Sequence, residues 1–160
     1  MEEELQYSVM RAIDSDWEES MVLAYKVFLK FESEEYGEEG TRNFLGFVSD
    51  QNLKKMFLLG KYIMFVAKQE NEIIGLISVR SGNHISLLFV DERYHRKGVA
   101  SSLMKCLLSY MKENTNYTLL TVNASPYGVP FYHKLGFIDT DVQTQKEGII
   151  YTPMNLKFTK

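Results

Sequence analysis

The chain has a single cysteine, Cys106, which excludes a disulfide framework and a cysteine-built metal site. Cys106 falls in an amphipathic segment and reads as a small packing residue rather than a nucleophile. Only three prolines occur, and no proline-rich linker or low-complexity tract divides the chain. No apolar run approaches the ~20 residues that a membrane-spanning helix needs. The start, Met1-Glu2-Glu3-Glu4, is acidic where a secretory leader needs positive charge. A net charge of −3 gives no support for nucleic-acid binding. GxxxxGK[ST] and GxGxxG are both absent, so an ordinary nucleotide phosphate loop is not encoded. The expectation is a soluble cytoplasmic protein with no metal, no membrane partner and no nucleic-acid partner.

What is present is enough for one domain over residues 1–160, with 45% hydrophobic and 24% charged residues. Charge is unevenly spread. Residues 1–40 hold twelve acidic and three basic side chains, and the remaining 120 hold nine and fifteen. An acidic lobe beside a basic one suits a cation near the first and a phosphate near the second.

Taken in order, Leu5–Ala12 alternates like a half-buried strand. Trp17, Met21, Ala24, Tyr25, Phe28 and Phe31 follow helical spacing, predicting a helix from about Asp16 to Phe31. Glu32–Gly40 reads as an acidic loop punctuated by Gly37 and Gly40. Thr41 can cap a short helix through Val48, and Asp50–Gly60 reads as a helical turn or a packed loop. Strands follow at Tyr62–Lys68, Ile73–Arg80 and His84–Val90. A helix starts after Gly98 and runs to about Glu113. Tyr117–Asn123 is a buried strand joined to His84–Val90 by a parallel crossover. A short helix ends at Gly136, and Phe137–Val142 and Ile149–Phe158 are the last strands. The order predicts a mixed sheet with helices on both faces, α+β or α/β.

The stretch that organises the rest is His84–Leu107. An apolar strand runs into a polar turn, Asp91–Lys97, and Gly98-Val99-Ala100 then opens a helix. A helix N-terminus at the end of a strand offers free N–H groups to an anion. Small residues there let a ligand approach the backbone closely.

Two motifs identify a family resemblance. Phe89-Val90-Asp91 with Tyr94-His95-Arg96-Lys97-Gly98-Val99-Ala100 resembles the acetyl-CoA-binding motif of the GNAT N-acetyltransferases, [QR]-x-x-G-x-[GA]. Asn123-Ala124-Ser125 with Phe131-Tyr132-His133-Lys134-Leu135-Gly136-Phe137 is similar to that family's second motif, with its YxKLGF core. The element order matches over nearly the whole chain. One departure is His95, which stands where the family has Gln or Arg.

The resemblance implies a GNAT fold: a central, mainly antiparallel seven-stranded sheet with one splayed parallel pair and about four helices. It implies acetyl-CoA as donor and a primary amine, of a small molecule or of a protein lysine or N-terminus, as acceptor. The amine would attack the thioester directly through a tetrahedral intermediate. The backbone of Arg96, Lys97, Gly98, Val99, Ala100 and Ser101 would hold the pyrophosphate, with His95 and Asn123 beside it. Leu88, Phe89 and Val90 would pair with the pantetheine arm like an added strand. An N–H near Phe89 could polarise the thioester carbonyl, a donor typically worth about 3 kcal/mol.

Tyr132 matches the family's general acid. His84 is a candidate general base, since imidazole accepts protons near neutral pH. Equally, it is a strand-end histidine with a structural hydrogen bond. Glu35, Glu38 or Glu39 could act instead. Glu35, Tyr36 and Glu39 of the acidic loop would border a cationic acceptor. The late strands of this fold often pair between subunits, which leaves a homodimer open. A reading of a different class is a CoA-binding sensor or interaction module that has lost catalysis.

Overall fold

The computed structural model describes residues 4–160; the first three residues of the acidic start lie outside the described part. The strand with the longest buried run sits inside the sheet. This is β3 (Glu72–Arg80), buried from Ile73 through Val79. Both its faces are covered, so it reads as continuous apolar sequence rather than as an alternation.

Around it the described residues form eight strands and five α-helices. The other strands are β1 (Ser8–Arg11), β2 (Ile63–Gln69), β4 (His84–Val90), β5 (Leu119–Ala124), β6 (Ile138–Asp139), β7 (Thr144–Lys146) and β8 (Ile149–Lys157). The helices are α1 (Trp17–Phe31), α2 (Ser33–Val48), α3 (Gln51–Leu58), α4 (Val99–Asn114) and α5 (Val129–Lys134). The strand order is β1-β2-β3-β4-β5-β8-β6, with β7 also paired to β8. Every pairing is antiparallel except β4 with β5. This is the arrangement that the family resemblance implies, with one strand more than the seven expected. The predicted strand Phe137–Val142 shortens to two residues, and β7 forms separately.

Two cores lie on opposite faces of the sheet. One packs Leu103, Met104, Leu107 and Met111 of α4 against Ile74, Ile77, Ile85 and Leu120. The other packs Trp17, Ala24 and Phe28 of α1, with Phe57 of α3, against Met64, Leu76, Leu87 and Phe89. Among the described residues no helix is long and apolar enough to cross a membrane.

The acidic loop predicted at Glu32–Gly40 is instead helical, and this is the main correction. Two helical pieces join at Gly37, whose φ of 71° and ψ of −171° break the helix without ending it. Glutamate is a good helix former, so one glycine does not outweigh the packing of Tyr36 and Gly40. Asp50–Gly60 is a true helix, capped where the Asp50 carboxylate accepts the Asn52 N–H at 2.8 Å.

Candidate active site

The site begins where β4 and β5 part. Their pairing is limited to His84 with Thr121 and Ile85 with Val122. Beyond that the strands separate, and the edge of β4 from Leu87 onward has no neighbour in the sheet. A bulge marks the parting: the β3–β4 register shifts by one, leaving Ser86 as the extra residue. The Tyr62 hydroxyl holds the bulge, donating to the Ser86 Oγ at 3.0 Å.

Alternation then decides which backbone groups face the opening. The Asp91 N–H donates to the Ile74 carbonyl at 2.8 Å, so Asp91 and, two residues back, Phe89 turn their polar groups toward β3. Leu88 and Val90 turn theirs toward the gap. The N–H groups free to face the gap are therefore those of Leu88 and Val90, with Phe89's N–H committed to the sheet. The Val90 carbonyl accepts from His95 Nε2 at 2.6 Å.

At the C-terminal end of β4 the chain passes a 3-10 turn at Glu92–Tyr94 and enters the anion cradle. Arg96 and Gly98 both adopt left-handed backbone, with φ of 61° and 85°. Conformations of alternating hand point successive N–H groups into one concavity. Backbone bonding resumes at Ser102, whose N–H donates to the Gly98 carbonyl at 3.0 Å. The N–H groups from Arg96 to Ser101 have no carbonyl partner among the described residues. Tyr7 steadies this end of α4 through a 2.7 Å hydrogen bond to the Ser102 hydroxyl. Arg96 and Lys97 are exposed beside the cradle, and Ser101 lies exposed on the first turn of α4. A cradle of free N–H groups beside an unpaired strand edge suits a pyrophosphate with an amide-containing arm. Among the described residues no cluster of His, Cys, Asp or Glu could hold a metal.

The helix α5 follows β5 in the chain. Tyr132 is 6% exposed, edge-on to Phe131 and Phe137 at ring distances of 5.5 and 5.2 Å. Burial, and then the charge of Glu32, holds its hydroxyl protonated well above the ordinary tyrosine range. Asn123 is exposed near the end of β5.

Glu32 is a further candidate that the sequence does not single out. It lies at the joint of α1 and α2, one turn after the buried Phe28, whose carbonyl accepts its N–H at 2.9 Å. Burial raises its carboxyl from 4.5 to about 7, the Ser125 hydroxyl lowers it, and Glu35 raises it. The i, i+4 stripe Ala24–Phe28–Glu32 was the available signal: a core-facing row that ends in a carboxylate. Beside it, Phe31 packs on the rings of His95 and Tyr127 at 4.9 and 5.1 Å. The end of α1 therefore touches both the cradle turn and the β5–α5 loop.

The other candidates separate. Tyr36 is buried in the same cluster, with its hydroxyl pKa raised by burial, Glu32 and Glu35. Glu35 is exposed beside it. Glu39 is also exposed and packs by the β7–β8 turn, where Gly40 meets Gly148. His84 stands at the paired end of β4, with Nδ1 2.7 Å from the Thr121 hydroxyl. Along the strand it is about 13 Å from Leu88. Burial, and then Arg80, lowers its pKa to about 4.

Comparison with known proteins agrees with this geometry. Residues 32–158 match the family model described as Acetyltransferase (GNAT) domain. The chain is 40% identical over 79 residues to the uncharacterized N-acetyltransferase YafP of Escherichia coli K12. That match covers 49% of this chain and 48% of YafP, so the chain spans about half the length of that curated relative. A GCN5-related N-acetyltransferase structure from Rhodopseudomonas palustris superposes with a TM-score of 0.82 at 18% identity, covering 99% of each chain. The PaiA N-acetyltransferase of Thermoplasma acidophilum, solved with coenzyme A, gives 0.78 at 17% identity, over 96% of this chain and 100% of that one. The parted strands, the cradle and the family match over most of the sequence lead to one conclusion: the chain belongs to the GNAT acetyltransferase family.

Proposed function

We propose that the chain, acting as one domain, transfers an acetyl group from acetyl-CoA to a primary amine. The acceptor is a small molecule or a protein lysine or N-terminus. The observations that support this reading are the free N–H groups from Arg96 to Ser101 beside the β4–β5 opening and a buried tyrosine, Tyr132, on the helix that follows β5.

In this reading the cradle binds the pyrophosphate, and Leu88 and Val90 hydrogen-bond the pantetheine arm. A backbone N–H of one of these two residues polarises the thioester carbonyl. The amine nitrogen attacks the carbonyl carbon, and the C–S bond breaks from the tetrahedral intermediate. Tyr132 donates its proton to the departing thiolate. Its raised pKa keeps that proton in place until negative charge develops on sulfur. Glu35, Tyr36 and Glu39 line the approach of a cationic acceptor.

The test is CoA release with a panel of primary amines: a polyamine, an aminoglycoside and a lysine peptide. Tyr132→Phe is expected to lower kcat by roughly 100-fold, within the range for general acid catalysis, with the CoA Kd unchanged. Unchanged turnover removes Tyr132 from the mechanism. CoA binding without release for any amine would favour the non-catalytic CoA-binding module.

A further inference from the structure

The bulge in β4 is tethered from two strands away. At the bulge β4 changes phase. Ile85 faces the core packed by α4, while Leu87 and Phe89 face the core packed by α1. Plain alternation would put all three on one face. Ser86 is the extra residue that makes the change, and it follows Ile85, the last residue of β4 paired to β5. The bulge and the fork of the two strands therefore coincide.

An extra residue has no ladder partner, so other contacts must hold it in place. Tyr62 supplies one. It precedes β2, and β3 lies between β2 and β4. Its hydroxyl is 2.7 Å from the Ser78 Oγ on β3 and donates to the Ser86 Oγ on β4 at 3.0 Å. A phenol has one proton, so at the first contact Ser78 is the donor. Ser78 is fully buried and Tyr62 is 2% exposed. The ring of Trp17 in α1 meets Tyr62 edge-on at 5.9 Å, and Phe57 of α3 stacks on that Trp17 at 5.0 Å. Packing from two helices thus fixes the ring that carries the tether.

We infer that Tyr62 is a positioning residue for acetyl-CoA, acting through Ser86. This rests on the acetyltransferase reading above, in which the pantetheine arm pairs along β4. By holding Ser86 out of the ladder, the Tyr62 hydroxyl keeps the bulge at the fork. That fixes the phase in which Leu88 and Val90, rather than Leu87 and Phe89, present backbone N–H and C=O groups to the gap. A bulge that shifts or heals turns those groups toward β3 and puts the edge out of register with the arm. The free N–H groups from Arg96 to Ser101 lie beyond the end of β4, so the pyrophosphate does not depend on this bond.

The experiment measures calorimetric Kd values of the full chain for two ligands. Acetyl-CoA carries the arm. The nucleotide half of CoA, an ADP phosphorylated on its ribose, keeps the pyrophosphate and lacks the arm. Tyr62→Phe should raise the acetyl-CoA Kd roughly fivefold, the worth of one net hydrogen bond, and leave the nucleotide Kd within about twofold. Ser86→Ala removes the same bond from its other end and leaves Tyr62 paired to Ser78. It should act alike, and it decides the question alone if Tyr62→Phe does not fold. The double variant should lose no more than either single one, because both act through one bond. In the transfer assay the KM for acetyl-CoA should rise while the amine KM holds. A fall in melting temperature with both Kd values unchanged makes Tyr62 a structural residue only. Equal weakening of both ligands, or additive losses in the double variant, likewise overturns the assignment. Those results leave the transferase reading standing where wild type moves acetyl. Wild type that binds CoA and acetylates no amine overturns the transferase reading alone, and wild type that binds no CoA overturns both.

Discussion

The proposed donor side of the site and the proposed acceptor side are built by different rules. The donor side is local. Its cradle is made by consecutive residues, Arg96 to Ser101, and uses backbone N–H groups, so side-chain identity matters little. His95 illustrates this: where the family has Gln or Arg, its imidazole simply bonds the Val90 carbonyl of the preceding strand. The acceptor side is assembled from distant segments. The α2 helix is held down by a turn more than a hundred residues later, where Asn43 Nδ2 donates to the Glu147 carbonyl at 2.7 Å. Local backbone sites tolerate sequence change, whereas assembled side-chain sites depend on every contact that positions them.

The sharpest way to break this comparison is at Gly40. A Cβ there would collide with the Gly148 carbonyl and with Tyr36. Gly40→Ala should cost roughly 1–3 kcal/mol, as overpacking does. That corresponds to a fall in Tm of roughly 3–10 °C. The KM for the amine should rise with the CoA Kd unchanged, measured by thermal melts, kinetics and calorimetry. An equal change in CoA affinity would show that the two sides are not separate.

The reciprocal variant is Gly98→Ala. Gly98 has open space around a would-be Cβ, so only its φ of 85° resists the substitution. The cost is roughly 1–2 kcal/mol. If the exposed turn relaxes to avoid it, CoA binding weakens by about 5- to 30-fold. The Kd for CoA should rise while the amine KM holds.

The smallest expected effect on catalysis is at His84. Its folded-state pKa of about 4 lies below the ordinary 6.5. As pH falls below 6.5 the unfolded chain takes up a proton that the folded chain refuses until about 4. The stability held above that window is lost across it. Melting temperatures should fall between pH 6.5 and 4, less steeply in His84→Gln, while the pH limb of kcat stays in place. A shifted limb would return His84 to the mechanism.

Legibility followed the same divide. The strands β2 to β5, helices α1 and α4, and the cradle turn were read within a residue or two of their ends, because each is marked by local periodicity or a glycine. The acidic segment was misread because Gly37 and Gly40 look like loop punctuation. Gly37 is a kink within α2, and Gly40 is small because another backbone lies against it. Acidity alone does not say which of Glu32, Glu35, Glu38 and Glu39 turns inward, and the fold leaves Glu35, Glu38 and Glu39 exposed. His84 was singled out for its residue type, which carries no record of the end at which β4 and β5 pair.

The sequence by itself determined the family, the mixed sheet and the glycine turn before α4, because these rest on contiguous patterns of backbone freedom and hydrophobic spacing. Only the tertiary structure decided which strand N–H groups face the gap and what pins α2. The reason is physical. Alternation in β4 is counted from its pairing with β3, and α2 is held where Asn43 meets the Glu147 carbonyl. Those residues become neighbours only after the chain has folded.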